Sequence, residues 1–204
     1  MKSRWILFLS FVLAGSLLLF VSCDIAGQGT LTINLTDAPG DYEEVYVTFI
    51  EVSVHKAEAE GIDGNDDNAT NGAGDNETEA GWIIVSEKEQ GFDLLTLQDG
   101  NFDLLAQSEL DTGKYTQIRL KITDEMDEND EPKTYVMVEG IKHVLTVPSG
   151  TQSGLKLTHG FTIESDNETT LFVDFDADKS VHQTGAGDYM LKPTITVLDE
   201  LPQE

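Results

Sequence analysis

From residue 30 onward the hydrophobic positions recur every second residue. "TLTINLT" sets Leu31, Ile33 and Leu35 against Thr30, Thr32, Asn34 and Thr36, the alternation of a half-buried strand, because successive side chains of an extended chain point to opposite faces. "EVYVTFIEVSVHK" places Val45, Val47 and Phe49 on one face and Ile50, Val52 and Val54 on the other, so its phase slips between Phe49 and Ile50. A slip of that kind predicts a β-bulge, or a strand that crosses from one sheet to another. The same period predicts strands at "WIIVSE", "FDLLTL", "YTQIRLKIT", "TYVMVE", "KHVLTVP", "LKLTHGFTIE", "TLFVDFD" and "YMLKPTITVLD". Only "NFDLLAQSEL" comes near a helical period, and the chain reads as all-β.

Turn chemistry agrees. "DAPGD" offers Pro39 and Gly40 in the order that suits the centre of a type II turn, and "VPSGTQSG" punctuates the later half. Leu110, Gly113 and Tyr115 in "ELDTGKYTQIRL" have the spacing of a tyrosine corner, in which a hydroxyl returns to upstream backbone; an ordinary strand tyrosine is the alternative. Eight to ten short strands predict a two-sheet antiparallel β-sandwich, immunoglobulin-like or transthyretin-like, over residues 30–199, with 200–204 as a tail. Residues 61–81, "GIDGNDDNATNGAGDNETEAG", hold no apolar cluster and predict a disordered acidic insertion. "DEMDENDEP" predicts a solvated hairpin tip. The echo "FDLL" at residues 92–95 and 102–105 is too short for a repeat architecture.

Residues 1–22 break the pattern. Lys2 and Arg4 precede the apolar run from Trp5 to Val21, and small Ser22 stands before Cys23, the only cysteine. These are the three parts of a secretory signal peptide, and no basic stop-transfer flank follows the run. "FVSC" resembles a bacterial lipobox, with Phe20 where Leu is usual. That resemblance implies cleavage before Cys23 and a diacylglycerol thioether on it, with 23–29 as a short tether. Two or more acyl chains anchor stably where one is marginal. With Cys23 lipidated the remaining domain has no thiol or disulfide and folds by packing alone. Asp24 resembles the inner-membrane retention residue of enteric lipoproteins. The expected location is the cell envelope, on the periplasmic or the surface-exposed face of a membrane.

Charge narrows the partners. The chain carries 12 Lys plus Arg and 38 Asp plus Glu. Removal of Lys2 and Arg4 with the signal leaves ten against 38, a balance of −28. Such a domain repels nucleic acid phosphates and anionic headgroups. No nucleic acid partner is expected.

The order "TINLTDAPGDYEEVYVTFIEVSVHK", "FDLLTL", "LDTGKYTQIRLKI", "VPSGTQSGLKL", "VDFDADKSV" and "YMLKPTI" resembles the bacterial and archaeal envelope lipoproteins known as domain of unknown function 4382, from about Leu31 to Val197. The resemblance implies a secreted, usually lipidated β-sandwich and brings no catalytic residues.

Candidate chemistry is sparse. Ser153 and Lys156 match a Ser-x-x-Lys spacing that works only on one helical turn, and here they enter a strand. His55, His143, His159 and His182 form no close pair. Asp174, Asp176 and Asp178 alternate, so a continuing strand would put all three on one face, where calcium would relieve their repulsion. Lys179 and Gly185 depart from the calcium-loop pattern, and a solvated acidic face is the alternative. Asp37 is expected to organise the turn before Pro39. Trp82 and Tyr46 are candidate glycan-stacking residues, with packing inside the domain as the alternative. The leading expectation is a lipid-anchored, non-catalytic envelope module, without a cofactor, that binds or scaffolds a protein or glycan partner. The alternatives are a hydrolase with carboxylates assembled across the sheets and a calcium-dependent adhesion-type module.

Overall fold

The slip of phase inside "EVYVTFIEVSVHK" falls in the strand around which the other strands are arranged. The structure is a computed structural model and describes residues 27–38, 40–57, 77–79, 81–148 and 153–201. Its strands are β1 (Gln28–Asp37), β2 (Glu44–Lys56), β3 (Glu77–Glu79), β4 (Trp82–Ser86), β5 (Gln90–Asp93), β6 (Asp103–Asp111) and β7 (Gly113–Thr123). They continue with β8 (Tyr135–Val138), β9 (Ile141–Thr146), β10 (Leu155–Ile163), β11 (Glu168–Phe175), β12 (Val181–Gln183), β13 (Tyr189–Leu191) and β14 (Ile195–Leu198). A 3-10 turn, Leu94–Leu97, follows β5, and a one-turn helix α1 (Ala177–Ser180) joins β11 to β12.

One sheet has four strands in the order β14-β11-β1-β6. The other follows the path β10-β7-β2-β8-β9-β13-β12, with β4 and β5 also paired to β2 and β3 paired to β4. Between the sheets, Leu31, Ile33 and Leu35 of β1 and Leu171, Val173 and Phe175 of β11 share one apolar cluster with Val45, Val47 and Phe49 of β2 and Ile118, Leu120 and Ile122 of β7. None of these side chains is more than 1% exposed. At about 25 cal/mol per Å² of apolar surface removed from water, such a layer is the main stabilising term. The expected all-β sandwich is what the chain forms.

The register explains the slip. Against β7, β2 shifts at Ile50: Phe49 pairs with Ile122, Glu51 with Lys121, and Val52 with Leu120. The extra residue is a β-bulge, and it restores the phase. Val52 and Val54 therefore join Val45, Val47 and Phe49 in the same core instead of facing away from it. Each edge of β2 is covered by a broken strand, β7 then β8 on one side and β4 then β5 on the other.

Several details differ from the sequence reading. The described residues form fourteen strands, not eight to ten, because several edges are broken into pieces of three to six residues. Two pairings, β1 with β11 and β9 with β13, are parallel rather than antiparallel. "NFDLLAQSEL" is strand β6, since pairing to β1 outweighs a weak local helical period. "YMLKPTITVLD" is two strands in different sheets, divided at Pro193, which has no N–H to give to a ladder. Within residues 61–81 the segment Glu77–Glu79 is a strand that extends the ladder of β4; residues 61–76 and 80 lie outside the described residues.

Tyr115 settles its alternative. It is 1% exposed, stacks on Phe161 at 5.2 Å, and donates its hydroxyl to the carbonyl of Asp111 at 2.9 Å. The chain passes there from β6 in one sheet to β7 in the other, as at a tyrosine corner. Tyr115→Phe is expected to lower stability by about 1 kcal/mol, read from the urea midpoint, because the part-buried hydrogen bond to the Asp111 carbonyl is lost while the stack on Phe161 remains.

Candidate binding cleft

β1 runs away from Gln28 and β2 runs back toward it. Gln28 pairs with Asp111, and Asp111 lies 3.7 Å from the Lys56 ammonium, so the end of β2 sits beside the start of β1. Tyr46, ten residues earlier on β2, is then roughly 30 Å further out at about 3.3 Å per strand residue. There the chain leaves β7 at Thr123 and forms the acidic hairpin 124–134 before returning as β8. Asp127 holds the hairpin by accepting the N–H groups of Asn129 and Glu131 at 2.8 and 2.9 Å, and these two bonds keep its carboxyl below its ordinary range. An open cleft of about 560 Å³ results, lined among others by Tyr46, Gly91, Glu89, Lys133, Tyr135 and Lys142.

The aromatic part is a cross-strand stack. Tyr46 and Tyr135 are directly opposite on β2 and β8, with centroids 5.3 Å apart and planes 10° from parallel. The Lys142 ammonium lies 4.5 Å from the Tyr135 centroid. On the other flank, a Cβ on Gly91 would run into the Tyr46 ring, so only glycine lets that ring lie against β5. Burial raises the Tyr135 hydroxyl far above its ordinary range, and its hydrogen bond to Glu44 at 2.7 Å adds to the rise, so it stays a proton donor. Lys133 pairs with Glu89 at 3.0 Å and Lys142 with Glu131 at 3.5 Å. The walls thus offer donors and acceptors together, with two of the chain's few cations.

The sequence had singled out Tyr46 here, and nothing else of this set. Tyr135 and Lys133 are two residues apart, but Gly91 and Lys142 come from other segments, and no spacing along the chain relates any of the four to Tyr46. Trp82 is elsewhere and only 5% exposed. It lies on the sheet face opposite the core, beneath Arg119 at 4.5 Å and Lys156 at 5.5 Å, with the His55 ring edge-on at 5.2 Å. Arg119, itself 4% exposed, is held by Ser53 and Glu51, and Glu51 also binds Lys121 at 2.6 Å.

The remaining candidates are dispersed. Ser153 lies in a turn and Lys156 in β10, away from any helix. His143 packs on Tyr189, His159 bonds to Asp199 at 3.0 Å, and His182 is exposed on β12. β11 ends at Phe175, so the alternation that would align three aspartates stops there. Asp174 remains on the strand, Asp176 caps α1 and Asp178 is exposed within it. Burial would raise the Asp176 carboxyl, but hydrogen bonds from the Lys179 side chain at 2.6 Å and backbone at 3.0 Å override it and hold it low. Among the described residues no three His, Cys, Asp or Glu converge as metal ligands. Cys23 and the signal segment 1–22 lie outside the described residues.

Asp37 is bonded to two elements beyond β1. It is 5% exposed at the end of β1; one carboxylate oxygen accepts the Ala177 N–H at 2.9 Å and the other the Gln98 amide at 3.2 Å. It thereby ties the start of α1 and the end of the 3-10 turn to the central strand. Burial raises its pKa to about 7 against the pull of those two bonds, with Asp174 and Asp176 adding to the rise.

The model of the family described as Domain of unknown function (DUF4382) matches residues 28–193. The chain belongs to that family. The match spans β1 to the residues after β13 and so includes the cleft of this DUF4382 domain. No curated protein and no solved structure matches the chain.

The folded state holds a proton on Asp37 between about pH 4 and 7 that the unfolded chain has released, so its contribution to stability is present at low pH and lost as pH rises through 7. Asp37→Asn removes that charge. From pH 5 to pH 8 the wild type is expected to lose about 2 kcal/mol relative to the variant, seen by urea unfolding at constant ionic strength.

Proposed function

We propose that this DUF4382 domain is a non-catalytic module of the cell envelope, held to a membrane by lipid on Cys23, that binds a glycan in the tyrosine cleft at the end remote from the tether. The observation that carries the reading is Gly91, whose missing side chain admits the Tyr46 ring beside Tyr135 in a cleft walled by Lys–Glu pairs. Sugar hydroxyls donate and accept together, and a wall of paired ammonium and carboxylate groups meets both needs. The cleft volume lies within the range of small-ligand sites, roughly 300–1,000 Å³. Its lining, with Lys133 and Lys142 against Glu89, Asp127 and Glu131, is nearly balanced in a strongly acidic chain, which suits an uncharged glycan.

Support against a carboxylate hydrolase comes from Asp37. Its pKa is that of a general acid, yet both its oxygens are engaged by Ala177 and Gln98, and burial leaves a substrate little approach.

Saturable binding of maltohexaose or of an N-acetylglucosamine tetramer is expected by calorimetry on the whole protein in neutral nanodiscs. Tyr46→Ala and Gly91→Val should each weaken it about fivefold or more, since both remove the ring from its place. No binding of either chain, or binding unaffected by both substitutions, overturns the cleft assignment. The anchor has its own test: Cys23→Ala should yield an unacylated precursor that keeps residues 1–22, and mass spectrometry showing cleavage and lipid on the variant rejects it.

A further inference from the structure

Lysine and arginine are absent from β1, β6, β11 and β14, the four strands of one sheet. Those strands carry Asp37, Asp103, Glu109, Asp111, Glu168 and Asp174. All ten cations after residue 23 belong to the other sheet or to connections. The two faces of the sandwich therefore differ in sign far more than the overall balance implies.

The outward face of the four-stranded sheet is apolar at its middle. Ile33 and Leu35 face the core, so Asn34 between them faces out, and the rung through it is Leu104, Asn34, Phe172 and Leu198. Phe102 meets Phe172 edge-on at 5.4 Å. Leu104 is 51% and Phe102 49% exposed, whereas Phe172 and Leu198 are half-buried. Thr32, Asn34 and Thr36 beneath them are buried, so the patch has a closed floor. Asp174 stands on the next rung outward, opposite Thr36 and Thr196. Glu109 and Glu168 flank Thr30 two rungs toward the tether. The result is an apolar centre with an acidic rim and no cation on its four strands; Lys179, near Asp174, is paired with Asp176 at 2.6 Å.

We propose that this face docks a cationic protein segment, whose apolar side chains seat on Phe102, Leu104, Phe172 and Leu198 and whose Lys or Arg side chains meet Glu109, Glu168 and Asp174. Charge complementarity selects this occupant. A second copy placed on the face by two-fold symmetry would set acidic rim against acidic rim. An anionic membrane surface would be repelled for the same reason. A partner of opposite sign gains apolar burial at the centre and is steered by the rim. The face is on the opposite side of the sandwich from the tyrosine cleft, and the proposal does not depend on the glycan reading.

The test uses the whole protein in neutral nanodiscs, with empty discs subtracted, and a fluorescent peptide of Lys-Leu-Leu-Lys repeats as the probe. Two control peptides replace its lysines by glutamate or its leucines by serine. Saturable binding of the first peptide alone is expected, weakened about tenfold or more in Phe102→Ser/Leu104→Ser. Both side chains are half exposed, and an unchanged melting temperature shows that the variant folds. Glu109→Gln/Glu168→Gln should keep binding at high salt while flattening its salt dependence. Absence of binding, equal binding by the serine variant, equal binding of the glutamate peptide, or a dimer in sedimentation that the serine variant disperses overturns the proposal.

Discussion

The bulge at Ile50 is the constraint on which the sandwich depends. A thirteen-residue strand that kept strict alternation could bury only one of its two apolar sets, and the other would face solvent along half its length. One extra residue brings Val52 and Val54 back to the face of Val45, Val47 and Phe49. β2 can then serve four partner strands, and each of the broken edges turns out near the same place: β4 gives way to β5 and β7 to β8 where β2 changes phase or soon after. The hairpin 124–134 leaves the sheet at one of those breaks. The cleft exists because that edge is interrupted.

Charge is distributed with the same economy of position. Four of the few cations on the larger sheet and its hairpin are paired: Arg119 and Lys121 with Glu51 on the outer face, Lys133 with Glu89 and Lys142 with Glu131 around the cleft. Exposed pairs of this kind stabilise little, about 0–1 kcal/mol each. Arg119 is different, because it is nearly water-free between Trp82 and Ser53, and loss of Glu51 would leave it a buried charge with fewer partners. Asp37 shows the opposite solution, a buried carboxyl with only neutral donors that meets the cost by holding its proton.

How far the sequence speaks is seen in the two copies of "FDLL". Alternation alone located β1, β2, β7 and β11 and set Leu31, Ile33 and Leu35 on one side of β1, but it put Val52 and Val54 on the wrong face of β2, because a bulge is read as a change of face. The identical tetrapeptides diverge: after Phe92 the chain enters a 3-10 turn, with the Asp93 carboxylate accepting the Leu95 N–H and Leu94 and Leu97 buried, whereas after Phe102 it continues as β6 with Leu104 exposed. Local composition cannot separate them; the partner strand does. The tyrosine corner was legible since its groups lie four residues apart. Of the cleft, Tyr46 alone was legible, as Tyr135 and Gly91 meet it only through β8 and β5. The alignment of the aspartate triplet rested on a strand continuing past Phe175, whereas β11 ends there and Asp176 caps α1.

The parallel pairing of β1 with β11 carries a consequence for how the chain reaches this state. Thr30 aligns with Glu168 and Asp37 with Phe175, so the second strand of the fold's smaller sheet is contributed from near the opposite end of the chain. β6 can flank β1 earlier, but the second edge of β1 is not paired until β11 arrives, and contacts so distant in sequence are slow to form. A ribosome delivers β1 first and β11 almost last. Until then β1 keeps a free edge along its length, the period in which a holding chaperone would have most to grip.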